Sequence, residues 1–302
     1  MKSFAKFTVV IPLYNHEKYI EEALLSVINQ NYQIDEIIII DDGSKDGSYQ
    51  KIHNILSKHH QINLIRQENC GTAKTLNRAI DMSCSEWIAV LNSDDSFLPT
   101  KISRCAEIAK EMPNVDLIAG GINFIDEQSN MIKTGISREW MERSLDFLKR
   151  SKSFPISIIN ENFIATTSNM VFKKELWRDV QGFRNFRYCN DLDFLLRSHK
   201  NNNYFYDLDY VHINYRLHAN NTIAEDVSRV RLERAFVSME NLSKLVAAET
   251  DISYVIEAVQ NLKLAEPMFI LDIINNIYND DFTWEKVENL LKNDQFKRSL
   301  TF

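Results

Sequence analysis

IIIIDDGSKDGS, from Ile37 to Ser48, is the stretch whose reading decides the fold. Four consecutive isoleucines, Ile37 to Ile40, run into Asp41, Asp42, Gly43 and Ser44. A short β-branched run that ends in turn-forming polar residues is the pattern of a buried parallel strand. WIAVLNSDDSFLP repeats it, with Trp87 to Leu91 running into Asn92, Ser93, Asp94 and Asp95. In open α/β sheets, ligands bind outside the carboxyl ends of such strands. Two carboxylate pairs delivered to that edge suit a divalent cation and a phosphorylated ligand.

The flanking residues alternate strand and helix from Phe7 to about Gly121. Phe7 to Ile11 reads as a strand that ends at Pro12. Glu17 to Gln30 reads as a helix with Tyr19, Ile20, Ala23, Leu24, Val27 and Ile28 on one face. Ser48 to His59 is a second helix, Ile62 to Arg66 a strand, and Thr72 to Met82 a helix turning Leu76, Ala79 and Ile80 inward. Pro99 to Glu111 opens a further helix on a proline. This alternation predicts a Rossmann-like α/β class, a mostly parallel sheet flanked by helices with right-handed crossovers.

Beyond Gly121 the alternation loosens. Leu117 to Ile125 reads as a strand, Trp140 to Lys149 as a helix, and Phe154 to Ser168 as loop and strand. Lys173 to Val180 and Asn190 to Asn201 read as helices. From Glu225 onward Val227, Val230, Phe236, Met239, Leu242 and Leu245 recur at helical spacing. Pro267 then breaks a second helical stretch, and Thr283 is placed to cap Trp284 to Leu291. The chain therefore divides into an α/β domain, 1–224, and a C-terminal helical extension, 225–302.

Charged residues make up 25% and hydrophobic ones 44% of the 302, the balance of a soluble globular protein. A net charge of −7 argues against a nucleic-acid-binding surface while leaving room for a local basic site. Cys70, Cys84, Cys105 and Cys189 form no Cys-x-x-Cys pair and read as buried, reduced thiols. The N-terminal apolar stretch is too short for a secretion signal and is broken by Pro12. MFILDII, Met268 to Ile274, is the densest late apolar run and Asp272 interrupts it, so no span of a bilayer is expected. The expected location is cytoplasmic. The amphipathic tail is compatible with packing on the sheet domain, with a homodimer, or with peripheral contact at the inner face of the membrane.

In chain order, VVIPLYNHEKYIEEALLSVINQ, IIIIDDGSKDGS, ENCGTAKTLNRAI and WIAVLNSDDSFLP are followed by GFRNFRYCNDLDFLLR and YRLHANN. Over roughly residues 7–221 this series resembles a family 2 glycosyltransferase of the GT-A fold. The resemblance implies metal-dependent, inverting transfer of a sugar from a nucleotide donor, UDP-linked, to a saccharide or lipid-linked acceptor in bacterial surface-glycan synthesis. It implies that Pro12, Leu13 and Tyr14 hold the nucleotide and that Asp42 accepts the imide N–H of uracil. The alternative for Asp42 is an Asx turn capped by Asp41 and Ser44.

Gly71 and Lys74, with Asn77 nearby, would meet the diphosphate at a helix N-terminus, although a lone lysine there is also an ordinary surface charge. Asn92, Ser93 and Asp94 would contact the nucleotide sugar, and Asp94, Asp95 and His218 would hold Mn²⁺ or Mg²⁺. Asn92 stands where many members carry Asp, which removes one charge. Asp191 occupies the position of the general base, with Asp193 as a rival; a carboxylate there is also favoured by the helix dipole alone. Asn190 stands where Glu often precedes that base. Arg216 could neutralise phosphate or pair with nearby acids. His53, His59, His60, His199 and His212 have no comparable context.

Two other classes compete. A sugar-phosphate nucleotidyltransferase would carry a Gly-rich phosphate loop after the first strand, where IPLYNHE stands. A non-catalytic nucleotide-sugar-binding or assembly module would explain Asn92 and Asn190, but Asp94, Asp95 and Asp191 are intact.

Overall fold

The structure, a computed structural model, describes residues 5–56, 59–200, 203–219, 221–245, 251–261 and 284–285. Runs of consecutive apolar residues make strands buried on both faces. β1 (Phe7–Leu13), β2 (Glu36–Asp41) and β4 (Trp87–Val90) are such strands, and β3 (Ile62–Arg66) is the half-exposed edge beside them. β1 pairs parallel with β2 and β4, and β2 with β3. The connecting helices are α1 (Ile20–Ile28), α2 (Ser48–Leu56) and α3 (Thr72–Met82). α1 buries Ile20, Ala23, Leu24 and Val27, the stripe its spacing predicts. In the order β3-β2-β1-β4 the winding reverses between β1 and β4, which opens a crevice at their carboxyl ends.

β1 continues through Pro12, opposite Ile40, to Leu13 rather than stopping at Ile11. Pro12 lies on the side of β1 that faces β4, whose pairing ends at Val10 and Val90, so its missing N–H leaves no ladder bond unmade.

The sheet continues past β4 as β7 (Val171–Lys173), β6 (Leu117–Ile125), β8 (Tyr204–Arg216) and β5 (Ser96–Phe97). The β4–β7, β7–β6 and β8–β5 pairings are antiparallel, and β6–β8 is parallel. None of β5, β7 and β8 is evident in the sequence. β5 and β7 are too short to show a period. β8 is long, but a register shift opposite Gly120 and Gly121 resets its alternation of inward and outward residues.

Helices α4 (Lys101–Glu111), α5 (Ile136–Ser151), α7 (Lys174–Asp179) and α8 (Asn190–Ser198) fall where expected, with α5 longer by several residues. The expected loop and strand at Phe154 to Ser168 is wrong. Phe154–Asn160 is a helix, α6, with Pro155 in its first turn and every residue from Pro155 to Asn160 buried. A helix apolar on all sides needs no amphipathic period, and its isoleucines mimic a strand. α9 (Val227–Leu245) and α10 (Ile252–Asn261) follow; the expected break at Pro267 and cap at Thr283 lie outside the described residues.

Among the cysteines only Cys105 and Cys189 are buried; Cys70 and Cys84 are exposed, and all four are free thiols. Among the described residues no helix is long and apolar enough to cross a membrane.

Gly120 in β6 faces the buried His212, where an added Cβ would lie 2.3 Å from the ring. Gly120→Ala is expected to destabilise the fold by about 1–3 kcal/mol through overpacking. In a thermal melt this is a fall of about 2–4 °C per kcal/mol.

Candidate active site

Three loops meet at the carboxyl ends of β1, β2 and β4. The residues after β1 are pinned to the turn after β2. The backbone N–H groups of Asn15 and His16 donate to Ser44 Oγ (3.0 Å) and Ser48 Oγ (2.9 Å). Asn15, in the left-handed region at φ 54°, accepts from Lys45 N–H (2.8 Å) through its side chain rather than capping α1. Tyr14 is exposed, Pro12 half-buried, and the Leu13 side chain buried, with its carbonyl taken by Asp42 N–H (2.8 Å).

Asp41 and Asp42 divide their work. Asp41 is buried, accepts from Ser44 N–H three residues on (3.1 Å), and sits 3.0 Å from Arg66 Nε. Asp42 gathers the loop before α3: Gln67 Nε2 (2.8 Å) and Cys70 N–H (2.9 Å) donate to Oδ1, and Gly71 N–H (2.9 Å) to Oδ2. Burial opposes its ionisation, but these donors hold its carboxyl below the usual range. A carboxylate has about four lone-pair sites, so Oδ2 retains acceptor capacity. Gly71 adopts φ 92° at the start of α3, a conformation that favours glycine. Lys74 is exposed on the first turn of α3 beside the Cys70 thiol. Asn77 turns away to bond Phe183 and Trp177.

After β4 the four polar residues separate. Asn92 is held at both ends of its amide, donating to Thr166 Oγ1 (2.9 Å) and accepting from Thr167 Oγ1 (2.9 Å). The Ser93 hydroxyl meets His16 Nδ1 at 2.7 Å. Asp94 Oδ2 lies 3.1 Å from His218 Nε2 and 4.0 Å from His16 Nε2. Burial would raise the Asp94 carboxyl, but the His218 hydrogen bond and the two imidazoles bring it below the usual range.

Asp95 turns inward. Its oxygens accept from Ser168 Oγ (2.5 Å) and from the Arg216 N–H (3.0 Å), and burial, then the Asp94 charge, push its carboxyl up. Asp94, Asp95 and His218, the expected set, therefore do not converge, whereas His16, Asp94 and His218 do. Their ligand atoms lie within 4.8 Å of one another, and no other three His, Cys, Asp or Glu residues among those described do so. One carboxylate and two imidazoles suit a divalent transition-metal ion. His16 is absent from the sequence reading, although it directly follows the Tyr14-Asn15 turn; only the approach of β1 to β4 brings it to Asp94.

Asp191 lies in the first turn of α8. It accepts from Leu192 N–H (2.7 Å) and Asn162 Nδ2 (3.0 Å), and burial pushes its carboxyl up to about 6 against these bonds. The Tyr215 phenol is raised first by burial and then by the charges of Asp95, Asp94 and Asp191. The Asp193 side chain is fully buried between Arg184 and Arg197, with Arg197 Nη2 at 2.8 Å. That occupation removes it as a rival to Asp191. Arg216 pairs with acids and carbonyls and has no exposed surface for phosphate.

The profile of glycosyl transferase family 2 matches residues 8–177, more than half of the chain. An uncharacterised glycosyltransferase of Rickettsia conorii is 31% identical over 166 residues, covering 54% of this chain and 25% of that protein. Glycosyltransferase GlyG of Streptococcus pneumoniae is 28% identical over 61% of this chain and 62% of its own length. The chain thus spans about a quarter to three fifths of the length of these two relatives.

Residues 1–349 of S. aureus TarS in complex with UDP-GlcNAc share the fold with a TM-score of 0.61 at 17% identity, over 98% of this chain and 81% of that one. The mannosyltransferase PcManGT of Pyrobaculum calidifontis, in complex with GDP-Man and Mn²⁺, gives 0.57 at 16% identity, over 99% and 84%. The chain belongs to glycosyl transferase family 2 and has the GT-A fold of these structures.

The two carboxylates of α8 differ in a measurable way. Asp193→Ala removes the buried carboxylate shared by two arginines, which keep Glu240 and the Val180 and Gly182 carbonyls, and is expected to lower stability by about 1–3 kcal/mol in chemical denaturation. The raised Asp191 carboxyl disfavours the folded state as pH rises through about 6, so Asp191→Asn at pH 7 leaves stability unchanged or higher.

Proposed function

We propose that this chain is an inverting, metal-dependent glycosyltransferase that moves a sugar from a UDP-linked donor to a saccharide or lipid-linked acceptor in surface-glycan synthesis. The observation that carries the reading is the convergence of His16, Asp94 and His218 beyond the carboxyl ends of β1 and β4, with the Asp191 carboxyl, pushed up by burial to about 6, in the first turn of α8. The UDP-GlcNAc complex of TarS and the GDP-Man and Mn²⁺ complex of PcManGT support a nucleotide-sugar donor.

The donor base lies over Pro12, Leu13 and Tyr14, with Leu13 contributing backbone alone, and Asp42 Oδ2 accepts its imide N–H. Gly71, Lys74 and the N-terminus of α3 face the diphosphate. Ser93 and Asp94 meet the sugar nucleotide, while Asn92 acts from behind by holding Thr166 and Thr167. His16, Asp94 and His218 hold the cation, and the two imidazoles favour Mn²⁺ over Mg²⁺. When bound, that ion supplies Lewis-acid stabilisation of the charge on the departing diphosphate.

Asp191 takes the proton of the acceptor hydroxyl. The hydroxyl oxygen bonds to the anomeric carbon as the carbon–phosphate oxygen bond breaks, and that bond's electron pair leaves with the diphosphate. One displacement with one base inverts the configuration, giving a β-glycoside from an α-linked donor.

Release of nucleoside diphosphate from a panel of nucleotide sugars, with and without acceptor saccharides, tests the reading. Asp191→Asn is expected to lower turnover by about 10²–10⁴-fold while donor binding persists. Turnover should fall as pH drops below about 6, where Asp191 becomes protonated. The absence of both turnover and a thermal shift by UDP with Mn²⁺ would overturn the assignment.

Mn²⁺ binding followed by electron paramagnetic resonance should weaken at least about tenfold in Asp94→Asn, His218→Ala and His16→Ala, since even outer-shell changes cost 10–100-fold. Asp95→Asn should weaken it less than Asp94→Asn does, since the Asp95 oxygens serve Ser168 and Arg216 and act only through the position of Asp94.

A further inference from the structure

We infer that α9, the first helix of the C-terminal extension, is part of the catalytic apparatus, with the consecutive residues Glu233 and Arg234 acting as positioning residues for Asp191. This rests on the reading of Asp191 as the general base.

Glu233 is fully buried, with the Arg229 cation favouring its charged form, and its carboxylate oxygens accept from three backbone N–H groups. Oε1 accepts from Arg187 N–H (3.2 Å), and Oε2 from Tyr188 N–H (2.7 Å) and Cys189 N–H (3.1 Å). Cys189 is the N-cap of α8 and makes no side-chain cap of its own. A buried carboxylate thus takes the donors that lead into α8, with its charge at the positive end of the helix dipole.

Arg234, the next residue, reaches another element. Its Nη2 donates to the carbonyls of Ile159 (3.1 Å) and Asn160, at the C-terminal end of α6. A cation on those carbonyls complements that helix end in the same way. Two residues beyond Asn160 is Asn162, which donates to Asp191.

One turn of α9 therefore grips, from behind, both segments that meet at the Asp191–Asn162 hydrogen bond. Arg184 adds a brace by pairing with Asp193 of α8 and with Glu240 of α9 (2.7 Å). Phe186 packs with Phe236 and Trp284 at centroid distances of 6.2 and 5.2 Å. The donor loops after β1, β2 and β4 touch none of these groups through any hydrogen bond among the described residues. Catalysis is sensitive to the position of the base at the ångström level, so the effect should fall on turnover and spare donor binding.

The test compares Glu233→Gln, Glu233→Ala and Arg234→Lys with Glu257→Gln, an exposed α10 control. Glu233→Ala is expected to lower kcat about tenfold or more, with the donor KM and the thermal shift by UDP and Mn²⁺ within about twofold of wild type. In a cycle with Asp191→Asn, the double variant should be no slower than Asp191→Asn alone, because Glu233 acts through that carboxylate. Carboxyl NMR should find Asp191 titrating near 6 in wild type and lower in Glu233→Gln, as water reaches it.

Equal losses of donor binding and turnover, full additivity with Asp191→Asn, or an unmoved Asp191 titration would overturn the inference. An inactive wild type with the NMR shift present would sink the general-base reading while leaving the positioning intact.

Discussion

Burying an arginine demands a partner for its donors, and Arg216, with no exposed surface, meets that demand around the site. Its Nε donates to the Asp94 carbonyl (2.7 Å), Nη1 to the Asp126 carbonyl (3.0 Å) and Ser129 Oγ (2.9 Å), and Nη2 to Glu22 (2.7 Å). Its backbone N–H donates to Asp95. One side chain thus locks the end of β8 to the loop after β4 and to α1. Asp94 then has a fixed carbonyl, and His218, two residues beyond Arg216, arrives at 3.1 Å from the Asp94 carboxylate.

The carboxylates follow a common logic. Asp95 and Asp193 are absorbed by the scaffold, one by Ser168 and the Arg216 backbone, the other by two arginines. Their neighbours Asp94 and Asp191 keep partial exposure. Environment, rather than residue type, separates the pair members, and between Asp94 and Asp95 the separation appears as opposite displacements from the ordinary carboxylate range. The buried acid in each pair supplies the rigidity that lets its neighbour present a charge in a set direction.

The parts legible in the sequence were those with short-range causes. Ile37–Ile40 and Trp87–Leu91 declared buried strands through their composition, and the turns after them declared a ligand edge through their polar residues. The stripes of α1 and α3 showed through their period. Phe154–Asn160 was misread because a fully buried helix has no polar face to betray its period. β8 stayed hidden because its register shift at Gly120 and Gly121 breaks the two-residue alternation.

The sequence by itself determined the strand-and-helix order, the family motifs and the polar clusters at strand ends, because each depends on residues close together in the chain. Only tertiary structure decided which acid of each pair stays partly exposed. Asp94 and Asp95 are adjacent and chemically identical, and Ser168 and Arg216, far along the chain, turn one of them inward. It also decided that His16 joins Asp94 and that Glu233 reaches the approach to α8, since both contacts depend on how separate elements pack.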